Sequence, residues 1–378
     1  MAALTTEQTM IRDQASAWVT EQAPVQAFRK LRDSGNPARF EAATWAAMVE
    51  MGWTGIVVPE QYGGSDLGYL TFGIVLEQLG RQLTASPLFA SALVGASALV
   101  LGGNAAQKQA YLPKIVDGSA IFTLAVDEGS RHAPARIALA ATASGSGFRL
   151  SGRKSFVLEG GSATHLVVAA RTGGAAGDTN GLTLFVVPAD AKGITRTALS
   201  TVDSRGYADI AFDGVEVGAD AVLGEVGNGH GLLEATLDRA RAGLSAEMLG
   251  TASRAFDMTI DYLKTRVQFG QVIGSFQALG HRAAGLFTQQ ELNRSCAEAA
   301  LQAIDANAGD VAELCSLAKA RVGAFLYQMS NELIQIHGGI GMTDEFDAGF
   351  YLKRARALEA TFGNQAFHRD RYATLLGF

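Results

Sequence analysis

Cysteine is scarce in this chain: Cys296 and Cys315 are the only two among 378 residues. No CxxC pair and no Cys/His cluster occurs, so the sequence indicates neither a metal site nor a disulfide framework. Both cysteines fall in segments with helical apolar spacing, which predicts reduced and buried thiols. Such cysteine usage is typical of a cytoplasmic protein, and we predict that localisation.

Charge runs and long apolar runs are absent as well. The 31 basic and 37 acidic residues give a net charge of −6 and are spread along the chain, so we expect no nucleic-acid partner. The longest apolar stretch, 88–101, is too short to cross a bilayer of about 30 Å and predicts a buried helix. The opening segment, MAALTTEQTMIRDQASAW, matches neither a secretory signal nor a transit peptide and predicts an ordinary first helix.

Proline does not occur after Pro188, and a long proline-free tail favours long helices. Helical apolar spacing also runs from about residue 6 to 118, whereas short β-rich runs separated by Gly, Asp and Ser turns fill the part between. We therefore predict an α+β protein with an N-terminal helical domain (1–118), a central antiparallel β-sheet domain (119–226) and a C-terminal helical bundle (227–378). The Gly-rich stretch 171–181 predicts an exposed hairpin loop or a disordered tip.

The common nucleotide-binding motifs, GxGxxG after a strand and GxxxxGK[ST], are missing. Four other segments carry recognisable motifs, which occur in this order along the chain: MGWTGIVVPEQYGG, DSRGYADIAFDGVEVGADAVLG, RVQFGQVIGSFQALGHRAA and QIHGGIGMTDEF. With them the chain resembles the acyl-CoA dehydrogenases along nearly its whole length. The resemblance implies FAD-dependent α,β-dehydrogenation of an acyl-CoA thioester to the trans-2-enoyl-CoA, with an electron-transfer flavoprotein as partner.

The resemblance also implies a set of FAD contacts, which face the pyrophosphate and adenosine of an FAD held mainly by a neighbouring subunit. A guanidinium suits phosphate oxygens, and glycines let backbone amides approach a diphosphate. Taken alone, the arginine of this set would be a solvated helix-end cation and its two glycines an ordinary helix stop. An FAD shared between chains implies a homo- or hetero-oligomer, in this family generally a tetramer. The implied contacts are Arg266, Gln268, Phe269, Ile273, Phe276, Gln277, Gln335, Gly338 and Gly339.

On the flavin side the sequence departs from the family pattern. The family's T-E-P-G-x-G-S-D loop corresponds to VDEGSRH, 126–132, so its Thr and Ser contacts are not assured. Its W-I-T/S segment corresponds to 156–158, and we expect Phe156 and Leu158 to lie against the flavin. Leu158 has no side-chain donor for the flavin edge, so backbone amides would have to provide those hydrogen bonds.

The two usual positions of the family's catalytic base carry no carboxylate. The Y-E-G-T motif corresponds to 361–364, with Phe362 in place of Glu, and the alternative position before Arg241 is Ala240. Glu247 follows Ala240 by seven residues, which returns a helix to nearly the same face roughly 10 Å along its axis. We predict that Glu247 is the base, as in steroid-CoA members with a shifted base, and that the shift suits a wide or branched acyl group. The alternative is a structural or partly exposed Glu247.

Two other functions stay open from the sequence. The chain could be a non-catalytic subunit that completes the FAD site of a heteromeric acyl-CoA dehydrogenase, because its own flavin loop is altered. It could also be a flavin monooxygenase or oxidase, since one fold hosts several chemistries. Glu247 as a base favours dehydrogenation.

Overall fold

The computed structural model describes residues 4–378, and its elements run from helices through strands to helices. The first helices are α1 (Thr6–Glu21), α2 (Val25–Ser34), α3 (Ala42–Glu50), α4 (Gly68–Arg81), α5 (Ala96–Gly102) and α6 (Ala105–Val116). The strands of the main sheet are β1 (Phe122–Ala125), β2 (Ala140–Ser144), β3 (Gly147–Leu158), β4 (His165–Arg171), β5 (Leu182–Pro188), β6 (Ile194–Ala198), β7 (Tyr207–Gly218) and β8 (Val222–Leu223).

The last part of the chain is helical apart from one small hairpin. It contains α7 (His230–Thr265), β9 (Val267–Gln268), β10 (Gln271–Val272), α8 (Gln277–Asp305), α9 (Val311–His337), α10 (Ala348–Ala360) and α11 (Gln365–Leu375). This order confirms the predicted fold class. No helix within residues 4–378 is long and apolar enough to cross a membrane.

The chain divides into two compact units. One, which we call the bundle unit, comprises residues up to 30, 69–84 and 241–378. The other, the sheet unit, comprises 31–68 and 85–240, so the division falls inside α7. Because each unit combines separate stretches of sequence, the three domain boundaries drawn from the sequence stay a prediction.

The main sheet has the strand order β6-β7-β3-β2-β4-β5-β8, with β1 beside β4. All its pairs are antiparallel except β1 with β4 and a single β2–β4 contact. The Gly-rich stretch 171–181 is the connection of the β4–β5 hairpin, and its residues from 173 to 180 are exposed. The buried guanidinium of Arg171 orders this loop by donating to the carbonyls of Gly173, Asp178 and Asn180.

The apolar stretch 88–101 forms a buried helix in the sheet unit, as the sequence predicts. Its first part, Phe89–Gly95, is a π-helix that continues directly into α5. Leu93 and Leu99 are fully buried. The stretch therefore provides apolar core for the sheet unit.

In the bundle unit, α4 and α7 approach so closely that their backbones touch at two glycines. A β-carbon at Gly80 would collide with the carbonyl oxygen of Glu247, and one at Gly250 would collide with that of Glu77. Only glycine permits this separation at both points. The close packing fixes the turn of α7 that carries Glu247.

Candidate active site

Arg266 opens a short β-hairpin at the end of α7. Strands β9 and β10 pair antiparallel, and the two residues between them, Phe269 and Gly270, have φ values of 55° and 79°. Two positive φ values in a two-residue loop are the signature of a type I′ turn, which matches the twist of the strands. The turn leaves the Phe269 ring 91% exposed. Arg266 and Gln268 are exposed as well.

The hairpin leads directly into α8. The amide of Ile273 donates to the carbonyl of Arg266 over 2.8 Å, which closes the base of the hairpin. The ring of Phe276, at the N-terminal cap of α8, meets Phe269 edge to face with centroids 6.2 Å apart. Gln277 then begins the helix with an exposed side chain. The predicted contacts from 266 to 277 therefore lie on one connected segment, the hairpin and the start of α8.

The second predicted segment ends α9. Gln335, Gly338 and Gly339 are exposed, and a β-carbon at either glycine would meet no atom within 4 Å. Gly338 has φ 62° and ψ −135°, a conformation reserved for glycine. The backbone at this turn is thus open to a ligand.

Tyr262 and His337 bring the two segments together within the bundle unit. Their rings stack with centroids 4.2 Å apart, and the Tyr262 hydroxyl donates to the His337 carbonyl over 3.4 Å. Tyr262 lies one turn before Arg266, and His337 directly precedes Gly338. An exposed guanidinium and an unobstructed glycine backbone, on two segments joined by this stack, fit the diphosphate of a dinucleotide such as FAD.

Phe156 lies in the sheet unit at a bulge of β3, where the register with β7 shifts between Lys154 and Val157. Its φ of 52° is unusual for a non-glycine residue, and the amide donates to Asp209 Oδ1 over 3.2 Å. The bulge leaves the ring 52% exposed, available to an aromatic ligand. Leu158 is buried in the strand. A flavin contact of either residue stays a prediction.

A network of charged side chains holds the altered loop that begins at Val126. Buried Lys154 donates to Glu128 Oε1 over 2.7 Å and to the Val126 carbonyl over 2.9 Å. The same carboxylate accepts the amides of Ala138 and Leu139. Burial lowers the pKa of Lys154 to about 8, although the Glu128 charge opposes the shift. The loop is thus fastened to β3 immediately before the bulge.

Asp127 strengthens the same loop by accepting from His132 Nδ1 and from the Ala133 amide. This network was not predicted from the sequence, where its signal was Glu128 at the position of the pattern's neutral proline. Despite these carboxylates, no group of three or more His, Cys, Asp and Glu side chains in the described part of the chain could hold a metal ion.

Glu247 is a buried carboxylate in the bundle unit, with 5% of its surface exposed. Arg354 of α10, only 1% exposed, places Nη1 3.4 Å from Glu247 Oε1. The guanidinium also lies over the ring of Phe28 at 5.5 Å. Ala246 and Met248, on either side of Glu247, are buried too. The carboxylate is therefore held away from water with a cation beside it.

The two positions where the resemblance would place a catalytic base are buried and apolar. Ala240 is fully buried in the sheet unit, and Phe362 is nearly so in the turn after α10. Lys319 was not predicted from the sequence as part of this region. Its buried ammonium donates to the carbonyls of Leu358, Glu359 and Gly363 and so fastens that turn. Burial lowers the pKa of Lys319 to about 7.

Comparisons with known proteins find similarity along nearly the whole chain. Models described as "Acyl-CoA dehydrogenase, N-terminal domain", "middle domain" and "C-terminal domain" match residues 5–119, 126–215 and 227–376. Mitochondrial isovaleryl-CoA dehydrogenase of Pongo abelii is 32% identical over 342 residues, covering 86% of this chain and 78% of the relative.

Among solved structures, the Tcur3481-Tcur3483 steroid ACAD is 30% identical with a TM-score of 0.89, covering 98% of this chain and 97% of that one. The ChsE4-ChsE5 complex from Mycobacterium tuberculosis is 25% identical with a TM-score of 0.90, covering 100% of this chain and 99% of that one. Both similarities extend over the helices and the sheet alike.

Proposed function

The chain belongs to the acyl-CoA dehydrogenase family of oxidoreductases, and we propose that it converts an acyl-CoA thioester to the trans-2-enoyl-CoA with FAD as cofactor. The observation that carries this proposal is the buried carboxylate of Glu247 on α7. A thioester α-carbon is weakly acidic, so its proton must pass to a positioned base kept out of water. Glu247 is the residue that we assign to this task.

Glu247 acts by accepting the α-proton on a carboxylate oxygen. The electron pair of the broken C–H bond forms the new α,β double bond as the β-hydrogen departs. FAD, when bound, supplies the acceptor of that hydrogen and its electron pair. Arg354 orients the carboxylate and balances its negative charge, because a buried carboxylate without a cation is costly.

The cofactor contacts that we propose are the exposed groups of the bundle unit. Arg266 would pair with a phosphate, the backbone at Gly338 and Gly339 would approach the diphosphate, and Phe269 would offer its ring to the adenosine. In the sheet unit, Phe156 would present its ring to the flavin. We also propose a homo- or hetero-tetramer, in which another subunit would cover the ring of Phe269, which is 91% exposed on one chain.

We propose a wide or branched acyl group as substrate. A base about two helical turns beyond Ala240 reshapes the space for the acyl chain. Isovaleryl-CoA is branched and a steroid is wide, and relatives named for both resemble this chain. An electron-transfer flavoprotein is the proposed electron acceptor.

The test uses the purified chain, its flavin content and a panel of short straight, branched, aromatic and steroid acyl-CoA thioesters. We expect bound FAD, and bleaching of the flavin band by branched or steroid thioesters. A chain that carries no flavin alone but gains it with a second subunit would indicate the non-catalytic role instead. Oxygen consumption without reduction of an electron-transfer flavoprotein would indicate an oxidase or monooxygenase.

A further inference from the structure

His337 is a buried imidazole between two aromatic rings. Its ring centroid lies 4.2 Å from that of Tyr262 and 4.7 Å from that of Phe346. Only 3% of the residue is exposed. The rings belong to three different segments: the last turns of α7, the end of α9 and the chain before α10. His337 therefore ties these segments together.

The hydrogen bonds of His337 define its tautomer. Nδ1 lies 2.7 Å from the Leu333 carbonyl oxygen. A carbonyl can only accept, so Nδ1 carries the proton and Nε2 of the neutral ring is left as an acceptor. Nε2 is buried and has no hydrogen-bond partner within residues 4–378. Burial lowers the pKa of His337, in keeping with a neutral ring.

The stack connects two backbone segments. The amide of Arg266 donates to the Tyr262 carbonyl over 2.9 Å, so the start of the hairpin follows the position of Tyr262. His337 directly precedes Gly338, and its carbonyl accepts the Tyr262 hydroxyl. A shift of the His337 ring would therefore move the glycine turn relative to Arg266.

We propose that His337 is a positioning residue that holds Arg266 and the Gly338–Gly339 turn at the separation needed to bind a dinucleotide diphosphate. This role rests on the proposed use of FAD. The role rests on the two faces of the imidazole ring, which contact Tyr262 and Phe346, and not on Nε2. The stack acts on ligand binding because it joins two exposed segments. One carries the Arg266 guanidinium, and the other carries the open backbone of the Gly338–Gly339 turn.

The experiment measures the FAD dissociation constant of the deflavinated full-length protein by fluorescence titration, together with its melting temperature. In His337→Ala we expect FAD binding to weaken at least about tenfold, which corresponds to about 1.4 kcal/mol. His337→Phe, which keeps a ring in the stack, should bind FAD within about threefold of the wild type. Tyr262→Leu removes the opposite ring and should weaken binding as His337→Ala does, which covers the case in which the alanine variant does not fold.

His368 provides the matched control. It is a fully buried histidine of the same unit, with Nε2 2.9 Å from the Phe362 carbonyl and its ring 5.0 Å from that of Phe367. His368→Ala should lower the melting temperature but leave the FAD dissociation constant unchanged. Equal FAD binding by the wild type, His337→Ala and Tyr262→Leu would overturn the positioning role alone. A wild-type protein that binds no FAD in any assembly would overturn the proposed function, and this role with it.

Discussion

Arg354 Nη1 lies 3.4 Å from Glu247 Oε1, and both side chains are almost completely buried in the bundle unit. A buried ion pair often contributes little net stability, because removing two charges from water offsets their attraction. A buried Glu247–Arg354 pair is therefore better explained if the Glu247 carboxylate also has a catalytic role. The alternative, a structural pair, is open to direct test.

Glu247→Gln keeps the size of the side chain and removes the proton acceptor. We expect FAD to remain bound while substrate-driven flavin reduction falls by a factor of at least about 100, the usual lower range for a lost general base. Stopped-flow absorbance with an active thioester measures the reduction rate.

The matched control is Glu77→Gln, which breaks a second ion pair of the bundle unit, where Arg294 Nη1 lies 2.9 Å from Glu77. We expect this variant to lose stability but to retain the reduction rate. Equal rates in Glu247→Gln and the wild type would exclude Glu247 as the base and leave its pair with Arg354 as structural.

Arg266→Ala removes the cation that we place beside the FAD diphosphate. The lost charge-assisted hydrogen bond should weaken FAD binding by about 1.5–3 kcal/mol. Lys264→Ala, a change of the same charge at an exposed position one residue before the end of α7, should leave binding nearly unchanged. FAD retained after gel filtration, measured by absorbance, compares the two. Equal losses would mean that only overall charge matters at this surface.

The sequence predicted the fold because periodicity and proline placement report directly on helices and strands. It also placed the predicted FAD contacts from 266 to 277 together, since these residues are contiguous in the chain. It could not predict that Tyr262 stacks on His337 or that Glu247 pairs with Arg354, because those partners are distant in the chain and meet only through helix packing. The Lys154–Glu128 pair could not be predicted for the same reason, although the sequence does show an unexpected Glu at position 128 of the loop.

Lys319 predicts a pH dependence of stability. Burial lowers the pKa of its ammonium to about 7, whereas an unfolded lysine titrates near about 10.4. Between these values the unfolded chain binds more protons, so the free energy of unfolding rises as the pH rises from about 7 to about 10.4. The same stabilisation is lost as the pH falls back across this window to about 7. The melting temperature from pH 7 to pH 9 should therefore rise less steeply in Lys319→Met than in the wild type. Parallel slopes would show that Lys319 keeps an ordinary pKa in the folded protein.

Glu128→Gln tests whether the charge network of the altered loop supports the bulge that presents Phe156. The change leaves the Lys154 ammonium buried without its carboxylate, and breaking a buried pair from one side costs about 3–5 kcal/mol. We expect a clearly lower melting temperature and, because Lys154 immediately precedes the bulge, a changed flavin absorbance spectrum.

The control for this variant is Glu216→Gln. The partner of Glu216 is Arg149, which lies on β3 as Lys154 does, but that pair is exposed. Solvent screens an exposed pair, so its loss should leave both the melting temperature and the flavin spectrum nearly unchanged. If Glu128→Gln and Glu216→Gln lowered the melting temperature equally, burial would not explain how much each ion pair contributes to stability. If Glu128→Gln lowered the melting temperature but left the flavin spectrum intact, the network would stabilise the loop without positioning Phe156.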